Sequence, residues 1–238
     1  MATTIASLKE YSLLIDGKSV ASASGKTFDT VSPTTNQPIG RVPLAGIEDV
    51  ERAIQAARTA FDDGPWPRWT PLERSRALHR VSHILRDRID EISTLETMNC
   101  GKIIVESRAD VTASANCFEY YGNLATQLWG EQIPMNGPLL DYTLREPVGV
   151  CAQIVPWNFP LLMAAWKLAP ALAAGNTRSL KPASATPLTA IVLGEICRDA
   201  GIPNGVVNVI TGPGGSIGEA MVTSPVVDKV AFTGETST

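Results

Sequence analysis

Between residues 148 and 232 the chain alternates short strands of unbroken hydrophobicity with helical patterns, and few architectures accept that order. The strands read at 148–155, 177–181, 206–210 and 229–232; helical stretches fall at 186–200 and 216–223. Strands without apolar–polar alternation are those covered on both faces, so the pattern predicts a parallel sheet with helices above and below. The expected class is α/β, with a doubly wound Rossmann-like sheet whose ligand crevice lies beyond the carboxyl ends of the strands. Three of those ends carry chemistry: Trp157-Asn158, Lys181 and Thr233-Gly234.

Upstream, residues 12–20 read as a hairpin turning on Asp16-Gly17, a dipeptide that tolerates positive φ. Residues 28–41 are rich in turn signals. From Glu48, Val50, Ala53, Ile54, Ala57 and Phe61 recur on one helical face, and Asp63-Gly64-Pro65 ends it. Thr70-Pro71 opens the next helix as N-cap and first residue. An apolar stripe through Leu72, Leu78, Val81, Ile84, Leu85, Ile89 and Ile92 predicts two kinked helices ending at Asn99, then a long helix over 103–128. Residues 139–145 and 148–155 look like consecutive strands. These patterns divide the chain into a helical part (1–137), a protruding hairpin (138–150) and a Rossmann-like part (151–238).

Charge and hydropathy remove several classes. Twenty basic against twenty-four acidic residues leave no basic surface for nucleic acid. The most apolar stretch, 159–175, contains Lys167 and two prolines and is too short for a membrane span. No secretory leader stands at the N-terminus, and four cysteines without CxxC spacing suggest reduced thiols in the cytoplasm. His79 and His83 have metal-compatible helical spacing, but no further ligand accompanies them, so no metal is expected.

The Pro156-Trp157-Asn158-Phe159-Pro160 segment is the least accidental in the chain. Each proline fixes its own φ and biases the preceding residue toward extended geometry, so an asparagine held between two can aim its amide at one point. The loop 211–218 joins a strand to a helix through Gly212, Gly214, Gly215 and Gly218, which permit close backbone approach to an anion. Read alone, such a loop is as often a simple tight turn.

These segments, with 166–172 and Ser179-Leu180-Lys181-Pro182, closely resemble the aldehyde dehydrogenase superfamily, and the match runs through nearly the whole chain. The resemblance implies NAD or NADP as cofactor, a small-molecule aldehyde as substrate, and assembly of the full-length enzyme into a dimer or tetramer through the hairpin. It makes Asn158 the oxyanion-hole amide and Lys181 the ligand of the adenosine ribose hydroxyls. Val155, Pro156, Trp157, Gly214, Gly218, Phe232, Thr233, Gly234 and Glu235 would lie along the cofactor. Phe159, Leu162, Met163 and Trp166 would line the aldehyde channel, and Lys167 would stand near the acyl-transfer centre. Similarity to the betaine-aldehyde and aminoaldehyde branch adds Asp110 and Trp166 as candidates for attracting a cationic substrate. Ser184 stands where NAD-preferring members carry a glutamate, which predicts tolerance of a 2′-phosphate. Glu235 replaces the usual serine beside the pyrophosphate.

The family's cysteine nucleophile and its Glu-Leu-Gly-Gly-Lys glutamate belong beyond Thr238. The expectation is an N-terminal half that holds most of the cofactor machinery and is inactive by itself. The alternative is a non-catalytic truncated paralogue that binds cofactor or joins full-length subunits.

Overall fold

A computed structural model describes residues 8–236. Its central sheet has the strand order β10-β7-β8-β9-β1-β2. The strands β7 (Val150–Ile154), β8 (Thr177–Lys181), β9 (Val207–Val209) and β10 (Lys229–Phe232) run parallel. Between them lie α5 (Pro160–Ala173), α6 (Leu188–Asp199) and the short α7 (Glu219–Thr223), the last two as the alternating pattern predicts.

The hairpin of β1 (Leu13–Ile15) and β2 (Lys18–Val20) forms as expected, with Asp16 at φ 53° and Gly17 at φ 71°. Its place was not expected: Leu14 pairs antiparallel with Val209, so the sheet is mixed rather than wholly parallel. All three residues of β1 are buried, and they cover a parallel edge that would otherwise be open. Asn208 locks the junction, its Oδ1 accepting from the Asp16 N–H at 2.9 Å.

Two further differences concern strands. Residues 28–41 are not merely turns: β3 (Thr27–Val31) and β4 (Pro38–Pro43) form a separate two-stranded sheet. Ser32-Pro33 and Asn36-Gln37 lie in the connecting loop and Pro38 opens β4, and this punctuation masks the alternation on either side. The protruding ribbon pairs β5 (Gln132–Ile133) with β6 (Asp141–Tyr142). The expected boundary at 138 therefore cuts through the ribbon, and Val150 belongs to the main sheet. Strands of two residues carry too little periodicity to be read from sequence.

Helices α1 (Ile47–Asp62), α2 (Pro71–Asp87), α3 (Ile89–Cys100) and α4 (Ile104–Leu124) form where the patterns place them, although Leu72 of the expected stripe is exposed. The α2 start is a capping box: the Glu73 N–H donates to Thr70 Oγ1, and the Glu73 carboxylate accepts from the Thr70 N–H at 2.7 Å. One core joins α2, α4, α5 and α6 through Leu78, Val81, Phe118, Leu161, Leu168 and Leu193. A smaller core seats α1 with Leu13, Ile210, Ile217 and Met221. Helices thus cover both faces of the sheet, as a doubly wound fold requires.

Strand β8 is fully buried although Thr177, Arg178, Ser179 and Lys181 are polar. Buried polar groups need partners. The Thr177 hydroxyl donates to the Ala57 carbonyl at 2.8 Å, and the Arg178 guanidinium donates to the carbonyls of Leu168 and Asn176. Among the described residues no helix is long and apolar enough to cross a membrane.

Candidate active site

Passing from β7 to β8 to β9 the sheet grows in one direction, whereas β10 lies on the other side of β7. The carboxyl ends of β7 and β10 therefore flank the topological switch point, where open α/β sheets hold ligands. A crevice of about 430 Å³ opens there, bounded by Ile154, Phe232, Lys181, Val222 and the glycines of the 214–218 loop. The chain folds that loop as a single π-type turn, Gly214–Gly218, ahead of α7. Gly214 and Gly215 face open space, whereas a Cβ on Gly218 would rest 3.8 Å from Ile154 Cδ1 and Lys181 Cδ. Bare backbone thus lines this wall.

Lys181 enters the crevice from the end of β8. Its side chain is buried, and its ammonium donates to the Pro182 carbonyl at 3.1 Å. Burial pulls its pKa below the ordinary lysine value. Ser184 donates to the Gly212 carbonyl at 2.8 Å, tying the lysine loop to the glycine loop. Phe232 folds back over Gly234, where an added Cβ would meet the ring at 2.5 Å and push it aside. Thr233 accepts from the Lys167 ammonium at 2.7 Å, so α5 and the end of β10 are joined across the mouth of the site. Desolvation pulls the Lys167 pKa down as well. Glu235 is exposed beyond this point.

Asn158 stands between β7 and α5, exposed, on the turn that the two prolines enclose. Among the described residues no hydrogen bond holds its side-chain amide, so the direction of the amide follows its backbone. That backbone is anchored. The Thr186 hydroxyl donates to the Trp157 carbonyl at 3.2 Å, and the Cys100 thiol lies 3.4 Å from the same oxygen. Trp157 is 61% exposed. Val155 is packed in the core and does not line the crevice, while Pro156 is half-buried.

The four expected channel residues separate. Phe159 and Trp166 present their rings to solvent; Leu162 is buried, and Met163 packs against the helical core. Leu162, Met163 and Trp166 share one stripe of α5, with Phe159 one turn before them, so the four differ in depth and not in face. Asp110 needs a clearer correction. It is 7% exposed and accepts from Lys102 at 2.5 Å, so its charge is neutralised by a neighbour and is not displayed to a cationic substrate.

Sequence reasoning missed the layer behind Asn158. Glu96 on α3 is wholly buried; its carboxylate accepts from the Thr189 hydroxyl at 2.6 Å and lies 3.5 Å from the Leu161 N–H. Lys102 lies 3.9 Å from Glu96 and 4.2 Å from the centre of the Phe159 ring. The available signal was Gly101, a left-handed stop at φ 84° that delivers Lys102 to the interior just after α3.

Burial is the main influence on Glu96 and pushes its pKa above the ordinary 4.5; Asp110 adds to this, while Thr189, Lys102 and the Leu161 amide oppose it. A carboxyl raised on folding binds its proton more tightly in the native state. Its contribution is therefore complete below 4.5 and lost as pH rises through the raised value. As the pH rises from the ordinary carboxylate range through the raised value, the wild type should lose thermal stability relative to Glu96→Gln. Parallel melting curves for the two proteins across that range would refute this assignment.

Known proteins share this sequence pattern and this fold. The model of the aldehyde dehydrogenase family matches residues 20–238. "Aldehyde dehydrogenase family 2 member B4, mitochondrial" from Arabidopsis thaliana is 48% identical over 227 residues, covering 95% of this chain and 42% of its own length. An aldehyde dehydrogenase from Bacillus cereus, solved as an NAD+ complex, superposes with a TM-score of 0.94 at 40% identity, covering 96% of this chain and 47% of that one. A Staphylococcus aureus betaine aldehyde dehydrogenase, also solved with NAD+, has a TM-score of 0.91 at 39% identity, over 93% of this chain and 45% of its own. The chain thus spans about half the length of the curated relatives it matches. With the family model matching from β2 onward and the solved relatives superposing on nearly the whole chain, this chain belongs to the aldehyde dehydrogenase family.

Proposed function

We propose that this chain is the cofactor-binding and oxyanion-holding half of an NAD(P)-dependent aldehyde dehydrogenase subunit, which oxidises an aldehyde to a carboxylic acid. The observation that carries the reading is the switch-point crevice itself: the buried Lys181 and the bare 214–218 backbone line it beside Ile154, the last residue of β7, and the chain runs on from there into the Asn158 turn. The residues fit a dinucleotide. Lys181 has N–H donors to spare for ribose hydroxyls, and the open glycine backbone admits a pyrophosphate. The relatives solved with NAD+ support the same assignment. When bound, NAD(P)+ supplies the hydride acceptor.

In this reading Asn158 directs its amide N–H at the oxygen that gains negative charge when a thiol attacks the aldehyde. Lys167 fixes Thr233 at the mouth, and the exposed Phe159 and Trp166 rings form an apolar approach that favours the aldehyde over water. The attacking thiol is not among the four here. Cys151 and Cys197 are buried, burial pushes Cys117 and Cys197 up to about 11 and about 12, and Cys100 faces the back of the Asn158 turn. Thiol and general base therefore come from the half that the relatives have in addition. A non-catalytic, cofactor-binding partner of complete subunits is the second reading, favoured by the same thiols. A cationic aldehyde would meet Trp166 without help from Asp110. The exposed Leu139, Leu140, Tyr142 and Leu144 around the β5–β6 ribbon support homo-oligomerisation, and the free thiols support a reducing compartment, the cytoplasm.

Titration of the purified chain with NAD and with NADP, followed by calorimetry, tests the assignment. Ser184 places no negative charge near the ribose, so the two dissociation constants should agree within about tenfold. Ser184→Glu should weaken NADP at least about tenfold more than NAD, because a carboxylate repels the 2′-phosphate. Failure of both cofactors to bind would reject the proposal.

A further inference from the structure

The charged layer behind the Asn158 turn has an arrangement that stability alone does not explain. Three ionisable side chains from a short stretch of sequence, Glu96, Lys102 and Asp110, are buried together. Burying charge is costly, and apolar residues of similar size would serve packing as well or better. The cluster is nonetheless aimed. Glu96 sits where two helices begin, against the Leu161 N–H of α5 and the Thr189 hydroxyl of α6, so the positive ends of both helices face its carboxylate. Asp110 draws the Lys102 ammonium from the other side at 2.5 Å. Held between the two carboxylates, the ammonium lies 4.2 Å from the centre of the Phe159 ring. Phe159 is the residue after Asn158 and the N-cap of α5, and Cys100, two residues before Lys102, approaches the Trp157 and Asn158 carbonyls at 3.4 and 3.6 Å.

We propose that Lys102, seated between Glu96 and Asp110, is a positioning residue for Asn158: it grips the Phe159 ring and thereby fixes the turn that aims the asparagine amide. The inference rests on the reading of Asn158 as the oxyanion donor. The amide has no hydrogen-bonded neighbour of its own among the described residues, so its aim depends on the flanking residues. An amide displaced by about 1 Å loses up to about 10²-fold in rate. Lys102 touches neither the crevice nor any reacting atom, so it acts through Phe159.

The test compares Lys102→Met, which keeps the stem and removes the charge, with Lys102→Arg, which keeps the charge and the contact with the ring. In a full-length subunit carrying this chain, Lys102→Met should lower kcat by about 10- to 100-fold with KM for the cofactor unchanged, and Lys102→Arg should recover most of it. In the chain itself, Lys102→Met should speed amide exchange at Trp157, Asn158, Phe159 and Leu161 by about tenfold or more, while Leu78 and Val81 in α2 keep their protection. Equal loss of protection in α2 would overturn the proposal by showing a general structural role. Unchanged kcat and exchange would overturn it too. Asn158→Ala serves as the control. If it abolishes turnover while Lys102→Met does not, the positioning role alone fails; if Asn158→Ala leaves turnover intact, the underlying reading fails.

Discussion

Replacing Asn158 with alanine should lower kcat by about 10²- to 10³-fold in a full-length subunit carrying this half, with KM for the aldehyde little changed. The asymmetry follows from where the amide acts. A neutral carbonyl oxygen gains little from one more hydrogen bond in the ground state, whereas the oxyanion formed on thiol attack gains a great deal in a site with little water. Folding should be untouched, because Asn158 is exposed and no hydrogen bond to its side chain is present among the described residues. Asn158→Asp should fall at least as far although its shape is the same, since a carboxylate repels the charge that the amide stabilises. Steady-state kinetics on the three proteins decides the matter, and a kcat for Asn158→Ala within a factor of about three of wild type would remove the oxyanion role.

The second large effect is on cofactor affinity. Lys181→Met should raise the dissociation constant for NAD by about 10- to 100-fold, the loss of one or two hydrogen bonds from a charged donor. The argument is one of unmet capacity. An ammonium carries three donors, and among the described residues the protein supplies one acceptor, the Pro182 carbonyl at 3.1 Å. Burial already works against the charged form and pulls its pKa down, so ribose hydroxyls would satisfy donors that the fold leaves free. Methionine keeps the stem beside Gly218 and relieves the desolvation, so the melting temperature should hold or rise while affinity falls. Calorimetric titration beside a thermal melt separates the two quantities. Unchanged affinity would mean that the lysine is held for the fold and not for the ligand.

Both predictions concern residues that could be named from sequence, because the signals there are local. Two prolines around Trp157-Asn158 constrain their own dihedrals wherever the turn ends up, and Asp16-Gly17 makes its positive-φ turn in any context. The helix stripes, the Thr70-Pro71 start and the strands at Thr177–Lys181 and Lys229–Phe232 were legible for the same reason. At residues 28–41 turn punctuation outweighs a short alternation and hides β3 and β4, and the strands of the β5–β6 ribbon are too short to have a period.

What the amino-acid order determined by itself was the succession of elements, their class, and the residue types offered at each strand end. Only the tertiary structure decided which elements became neighbours. It put β1 beside β9, making the sheet mixed, and set β10 on the far side of β7, creating the crevice. It also brought Lys102 to Asp110 and so paired a carboxylate that the sequence leaves free. The physical reason is the range of the forces involved. Dihedral preference and hydrophobic periodicity act over a few residues and leave their mark on sequence. The partner of a buried charge is chosen instead by the cost of leaving it unpaired, and that cost exists only once distant segments have closed around it.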